Sequence, residues 1–202
     1  MEKFLKENLD ILKEVGSIGM GHAATSLSHM LNMKITMSTP SVYIMKAKET
    51  EAFLKERDKA TLGVILGLQG DARGRILQIL SKKFALLIIN YFFQNNLEDI
   101  TDLDEMSFSV IQEIGNISSG AYCNSLAAMT NMFIDISTPT HCKDLCAETG
   151  LTGKNPEETI IIITNSFFIG GEEIKSDFLF MPDEETIEMV IKKLMEYYGI
   201  KN

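Results

Sequence analysis

The chain has 202 residues, 45% of them hydrophobic and 23% charged, so it has an ordinary globular composition and can bury one good core, whereas either half alone would be marginal. The formal net charge of −9 comes without a basic patch, and the densest charge run, Asp183-Glu184-Glu185, is itself acidic, which argues against nucleic acid and anionic membrane as partners. No uncharged run approaches the roughly 20 apolar residues of a membrane span. Met1-Glu2-Lys3 leads into a charged stretch, and three cysteines do not make a secreted disulfide framework, so a cytoplasmic location is expected.

In chain order, residues of about 4 to 31 are predicted as a long helix. Leu5, Leu9, Leu12, Val15, Ile18 and Gly19 fall on one side, with Asp10, Glu14 and Ser17 on another. A strand is predicted from Met33 to Lys46. Two more follow, Thr61 to Gln69 and Gly74 to Leu80, joined by a turn at Gly70-Asp71. A helix from Ser81 to Gln94 closes the first half, and Asn95 to Thr101 joins it to the second. The second half then follows the same order: a helix from about Asp104 to Thr130, with Met106, Val110, Ile111, Ile114, Ile117 and Ala121 inward, and a strand from Met132 to Thr140. A hairpin follows from Thr159 to Ile169 and Ile174 to Met181 about Gly170-Gly171, and the last helix runs from Asp183 to Tyr198. Ser81 and Asp183 are the expected N-caps. Proline donates no ladder hydrogen bond, so Pro40 and Pro139 belong at a strand end, edge or bulge.

The parallel between the halves extends to individual residues. Between Glu14 to Pro40 and Glu113 to Pro139, 13 of 27 positions are identical at an offset of 99, including the Ser-Thr-Pro triplets, where chance composition allows about one or two. The expected architecture is α+β: two α-β-β-β-α units, about 1–97 and 98–202, forming one pseudo-two-fold domain. It would have an antiparallel sheet and two long helices, each with an exposed polar face.

Glu113 and Asn116 lie three residues apart, on one face of the predicted helix, with Ser109 a turn earlier. An amide both donates and accepts hydrogen bonds and so can orient a water, while a carboxylate can pair with a cation and fix a dock. An exposed Glu and Asn at this spacing are usually only solvated. Recurrence of the pattern at Asp10, Glu14 and Ser17, together with helix-interior glycines that each cost about 1 kcal/mol, weighs toward function. His141, Cys142 and Cys146 lack four-ligand spacing, so no metal site is expected. His22 and His29 read as surface or helix-end histidines.

Asp or Ser, three residues, Glu, two residues, Asn, then twenty-two residues and Pro resembles the signature of the chemotaxis phosphatases CheC, CheX and FliY. Ser109, Glu113, Asn116 and Pro139 match it in full; Asp10, Glu14 and Pro40 match it with Ser17 in place of the amide. The resemblance, most of all to CheC-type proteins, implies hydrolysis of the aspartyl phosphate on the response regulator CheY. Asn116 would position the water, Glu113 would pair with the regulator's lysine, and the partner would supply Mg²⁺, so no cofactor is expected in this chain. It also implies CheD as a second partner, or a non-catalytic role as adaptor or flagellar switch part. A serine hydroxyl reaches about two bonds less far than an Asn amide, and a misplacement of about 1 Å can abolish positioning, so one competent site is expected.

Overall fold

The computed structural model describes residues 7–56, 61–142, 144–145 and 158–200. In chain order they form α1 (Leu9–Leu31), β1 (Ile35–Met37), β2 (Ser41–Lys46), α2 (Ala47–Glu56), β3 (Thr61–Gly70), β4 (Gly74–Ser81) and α3 (Lys82–Phe93). After a 3-10 turn over Ile100–Asp102 come α4 (Glu105–Thr130), β5 (Ile134–Ile136), β6 (Thr140–Cys142), β7 (Thr159–Ile169), β8 (Glu172–Pro182) and α5 (Glu184–Tyr197). The fold is α+β, with one eight-stranded antiparallel sheet in the order β1-β7-β8-β4-β3-β5, β2 also pairing with β7 and β6 with β3. Each half therefore lends its short strands to the other half's hairpin. Exchanging each first-half strand for its counterpart about 99 residues on turns this order into its own reverse.

The hairpins form where Gly70, Gly170 and Gly171 take φ of 85°, 59° and 87°, conformations that a Cβ disfavours. The starts of α3 and α5 are capped by side chains: Ser81 accepts from the Phe84 N–H, and Asp183 from the Thr186 N–H. Asn32 and Asn131, repeat counterparts, end α1 and α4 in the left-handed conformation.

The predicted strand from Met33 to Lys46 is instead two strands interrupted at 38–40, and that from Met132 to Thr140 is interrupted at 137–139. The cause is the Ser-Thr-Pro triplet. Ser38 N–H donates to Ser166 O while Ser38 Oγ accepts from Ser166 N–H; Ser137 makes the same pair of bonds with Gly67. The serine side chain substitutes for the ladder where proline breaks it.

Helix α2 was not expected. Ala47, Thr50 and Leu54 are its buried positions in a charged segment, and they cover the outer face of the sheet with Leu77, Ile79, Ile160, Ile162 and Leu179. The inner face carries the larger core, where Val64, Ile161, Ile163, Phe167, Phe178 and Phe180 pack with α1 and α4. Full burial of such side chains stabilises by about 1.5–3 kcal/mol each.

Candidate functional site

Asp104 sets the start of α4: its carboxylate accepts from the Ser107 N–H at 2.8 Å and the Ser107 hydroxyl at 2.7 Å. Those two bonds, the backbone one foremost, hold its carboxyl below the usual range. From that cap, Phe108, Ile111, Ile114, Gly115 and Ser118 turn inward, and Ser109, Glu113 and Asn116 fall on the opposite side. Gly115 brings this turn close to the sheet, for a Cβ there would sit only 2.7 Å from Val64 Cβ and closer still to Cγ1.

Ser109 and Glu113 are exposed and Asn116 is half-buried. Ser109 donates back to Glu105 O. Among the described residues, Glu113 and Asn116 have no side-chain hydrogen bond or ion pair, so both are available to a molecule outside the chain. Pro139 comes to the same place. Ile136 lies against Gly120 and His141 bonds Gln112 at 3.3 Å, so the 137–139 interruption runs beside the Asn116 turn. A cleft of about 300 Å³ lies elsewhere, lined by Ser38, Thr39, Ser41, Thr164 and Lys175 among others, and contains neither Glu113 nor Asn116.

The first motif is placed on a separate face. Gly16, where an added Cβ would stand 3.5 Å from Ile163, seats α1 over β7, while Gly115 seats α4 over β3. Those strands are three steps apart, about 14 Å. Asp10 is exposed and pairs with Lys13 at 3.4 Å; Glu14 is exposed, Ser17 half-buried and Pro40 buried. Tyr198 approaches this face: burial and, next, the Glu14 carboxylate raise its hydroxyl pKa. The two helices meet instead where Gly19 packs against Tyr122 and where His22 Nδ1 lies 2.9 Å from Ser125 Oγ. Ser125 donates its own hydroxyl to Ala121 O, so the imidazole is the donor in a helix-to-helix tie.

One expectation on α4 is corrected. Met106 points out, 64% exposed, because the inward positions of the first turns are taken by Ser107 and Phe108. The sequence reading also missed a clasp behind the site. His141 stacks on Phe108, with centroids 4.2 Å apart and planes 15° apart, and bonds Gln112. The available signal was substitution between the repeats, since the counterparts of Phe108 and His141 are Leu9 and Val42. With His141 so engaged and Cys142 buried, no metal-holding cluster occurs among the described residues; Cys146 lies outside them. Nor, among them, is any helix long and apolar enough to cross a membrane.

The CheC-like family profile matches residues 7–44 and 106–142, the two helix-and-strand segments just described. The chain is 30% identical over 197 residues to the CheY-P phosphatase CheC of Bacillus subtilis, covering 94% of each protein. It is 27% identical over 173 residues to the flagellar motor switch phosphatase FliY of the same organism, of whose length the match spans 44%. Among solved structures, FliY of Thermotoga maritima superposes with a TM-score of 0.75 at 25% identity, over 97% of this chain and 98% of that one. The FliM middle domain of H. pylori shares the fold, with a TM-score of 0.71 at 13% identity over 93% and 98%. An identity of 30% across nearly the full length of both proteins, a matching fold and profile matches centred on both motif helices together place this chain in the CheC-like family.

Proposed function

We propose that this protein hydrolyses the aspartyl phosphate of a CheY-type response regulator, using the α4 face as its one competent site. The observation that carries the reading is the unpartnered Glu113 and Asn116 on an exposed helix face. The curated relative at 30% identity is named a CheY-P phosphatase, and a fold relative, CheX of Borrelia burgdorferi, has been solved with CheY, BeF3 and Mg²⁺. BeF3 on an aspartate mimics the phosphoryl group. In this reading the regulator supplies Mg²⁺ and the phosphoryl group, and Glu113 docks by pairing with the regulator's lysine. The Asn116 amide holds a water in line; the water's oxygen attacks phosphorus as the bond to the aspartyl oxygen breaks, its protons leave with the inorganic phosphate, and the aspartate is left as a free carboxylate. Ser109 and Pro139 support the turn, while Asp10, Glu14, Ser17 and Pro40 form the degenerate copy.

The test is phosphate release from phosphorylated CheY with and without the protein. Asn116→Ala is expected to slow release by tens-fold, up to about 10², with the fold intact. Near-parental turnover would remove Asn116 from the reaction. A second reading is a non-catalytic role, as an adaptor that binds CheD or as a flagellar switch part; the FliM middle domain shares the fold. Binding without phosphate release would establish it.

A further inference from the structure

We infer that Met106 is the apolar docking contact that admits a phosphorylated receiver domain to the α4 face, a contact that α1, with Glu7 at the matching position, does not offer. The inference rests on the phosphatase reading of that face. At 100° per residue, Met106 lies about 20° around the helix from Glu113, on the stripe that continues through Ser109 and Asn116. It is 64% exposed in the first turn of the helix, two residues past the Asp104 cap, while neighbouring Ser107 and Phe108 are both buried. A large apolar side chain left in water beside two unpartnered polar groups has the composition of an interface centre, where methionine is enriched and charge is depleted.

The repeat supplies the contrast. Position 106 corresponds to Glu7, so the first face presents Glu7, Asp10 and Glu14 where the second presents Met106, Ser109 and Glu113. All six are exposed. With Asp10 already paired to Lys13, the contrast offered to a receiver is an apolar side chain at Met106 against a polar, ionisable one at Glu7, and only the first supplies buried apolar contact on docking. Selection between the two faces thus has two parts: the amide at Asn116 supplies chemistry, and the neutral apolar residue at position 106 supplies entry.

The experiment uses the full chain and a CheY-type receiver, measuring phosphate release across receiver concentrations and, separately, titration of the receiver held in its phosphorylated form by beryllofluoride. Met106→Ala is expected to raise KM and Kd by about fivefold with kcat unchanged, the scale of losing about 1 kcal/mol of buried apolar contact. Met106→Glu should raise them further, and that extra penalty should shrink with added salt. Phe133→Ala, which truncates another exposed large apolar side chain off this stripe, is expected to leave both constants unchanged. Unaltered KM and Kd in both Met106 variants, or an equal loss in Phe133→Ala, overturns the inference while leaving the phosphatase reading intact. A parent that binds the receiver without releasing phosphate overturns the phosphatase reading, while the Kd series still decides Met106. A parent that does neither overturns both.

Discussion

Gly16 and Gly115 occupy the same position in the repeat, yet replacing each with alanine is expected to change stability in opposite directions. Alanine in a helix interior is favoured over glycine by up to about 1 kcal/mol. At position 16 the added Cβ would meet Ile163 and Val42 at 3.5–3.6 Å, ordinary van der Waals contact, so Gly16→Ala should keep most of that gain. At position 115 the Cβ would stand 2.7 Å from Val64 Cβ, roughly 1 Å inside the usual carbon separation. Val64 is fully buried and β-branched, so neither rotation nor a flexible end relieves the overlap; helix and strand must part. Overpacking of this kind costs about 1–3 kcal/mol, and taking its upper end less the propensity gain leaves about 2 kcal/mol of destabilisation. For a chain of this size, Tm should rise by about 2–4 °C in Gly16→Ala and fall by about 4–8 °C in Gly115→Ala. Thermal unfolding read by circular dichroism measures both. Because Gly115 lies between Glu113 and Asn116, Gly115→Ala should also depress phosphate release at temperatures where the variant is folded. Adding Val64→Ala should recover part of its loss, a favourable coupling in a double-mutant cycle. Shifts of the same sign at both glycines would refute the argument that α4 is seated on Val64.

Two further outcomes can be checked directly. Glu113→Gln removes the unit charge proposed to meet a lysine, so it should raise KM and flatten the dependence of phosphate release on salt, measured from low ionic strength upward. Asp99 ties the joint between the halves to α3 by a 2.6 Å bond to Lys82, and that bond foremost, with those from Thr101, lowers its pKa to about 2. Since its folded pKa lies below the unfolded value of 3.8, the contribution is complete above about pH 4 and lost as pH falls toward 2; Asp99→Asn should lessen the decline of Tm over that window.

Much of this protein was legible in its sequence because the features concerned are local. The 3.6-residue period marks α1 and α4, the glycine turns mark the β3–β4 and β7–β8 hairpins, and fixed helical spacing sets Ser109, Glu113 and Asn116 on one face. The family signature, too, is a matter of spacing alone. Other features depend on what lies across the sheet. The strands on either side of Pro40 and Pro139 are separated because Ser38 and Ser137 find Ser166 and Gly67 on strands more than 60 residues away. Helix α2 exists because the outer face of β7 and β8 needs cover, a demand that its own charged sequence does not announce. Met106 faces water because Phe108 takes the inward place and stacks on His141, a partner 33 residues further on. Whether equivalent glycines are interchangeable rests on Val64 and Ile163, residues in other parts of the chain that packing alone brings beneath the two helices.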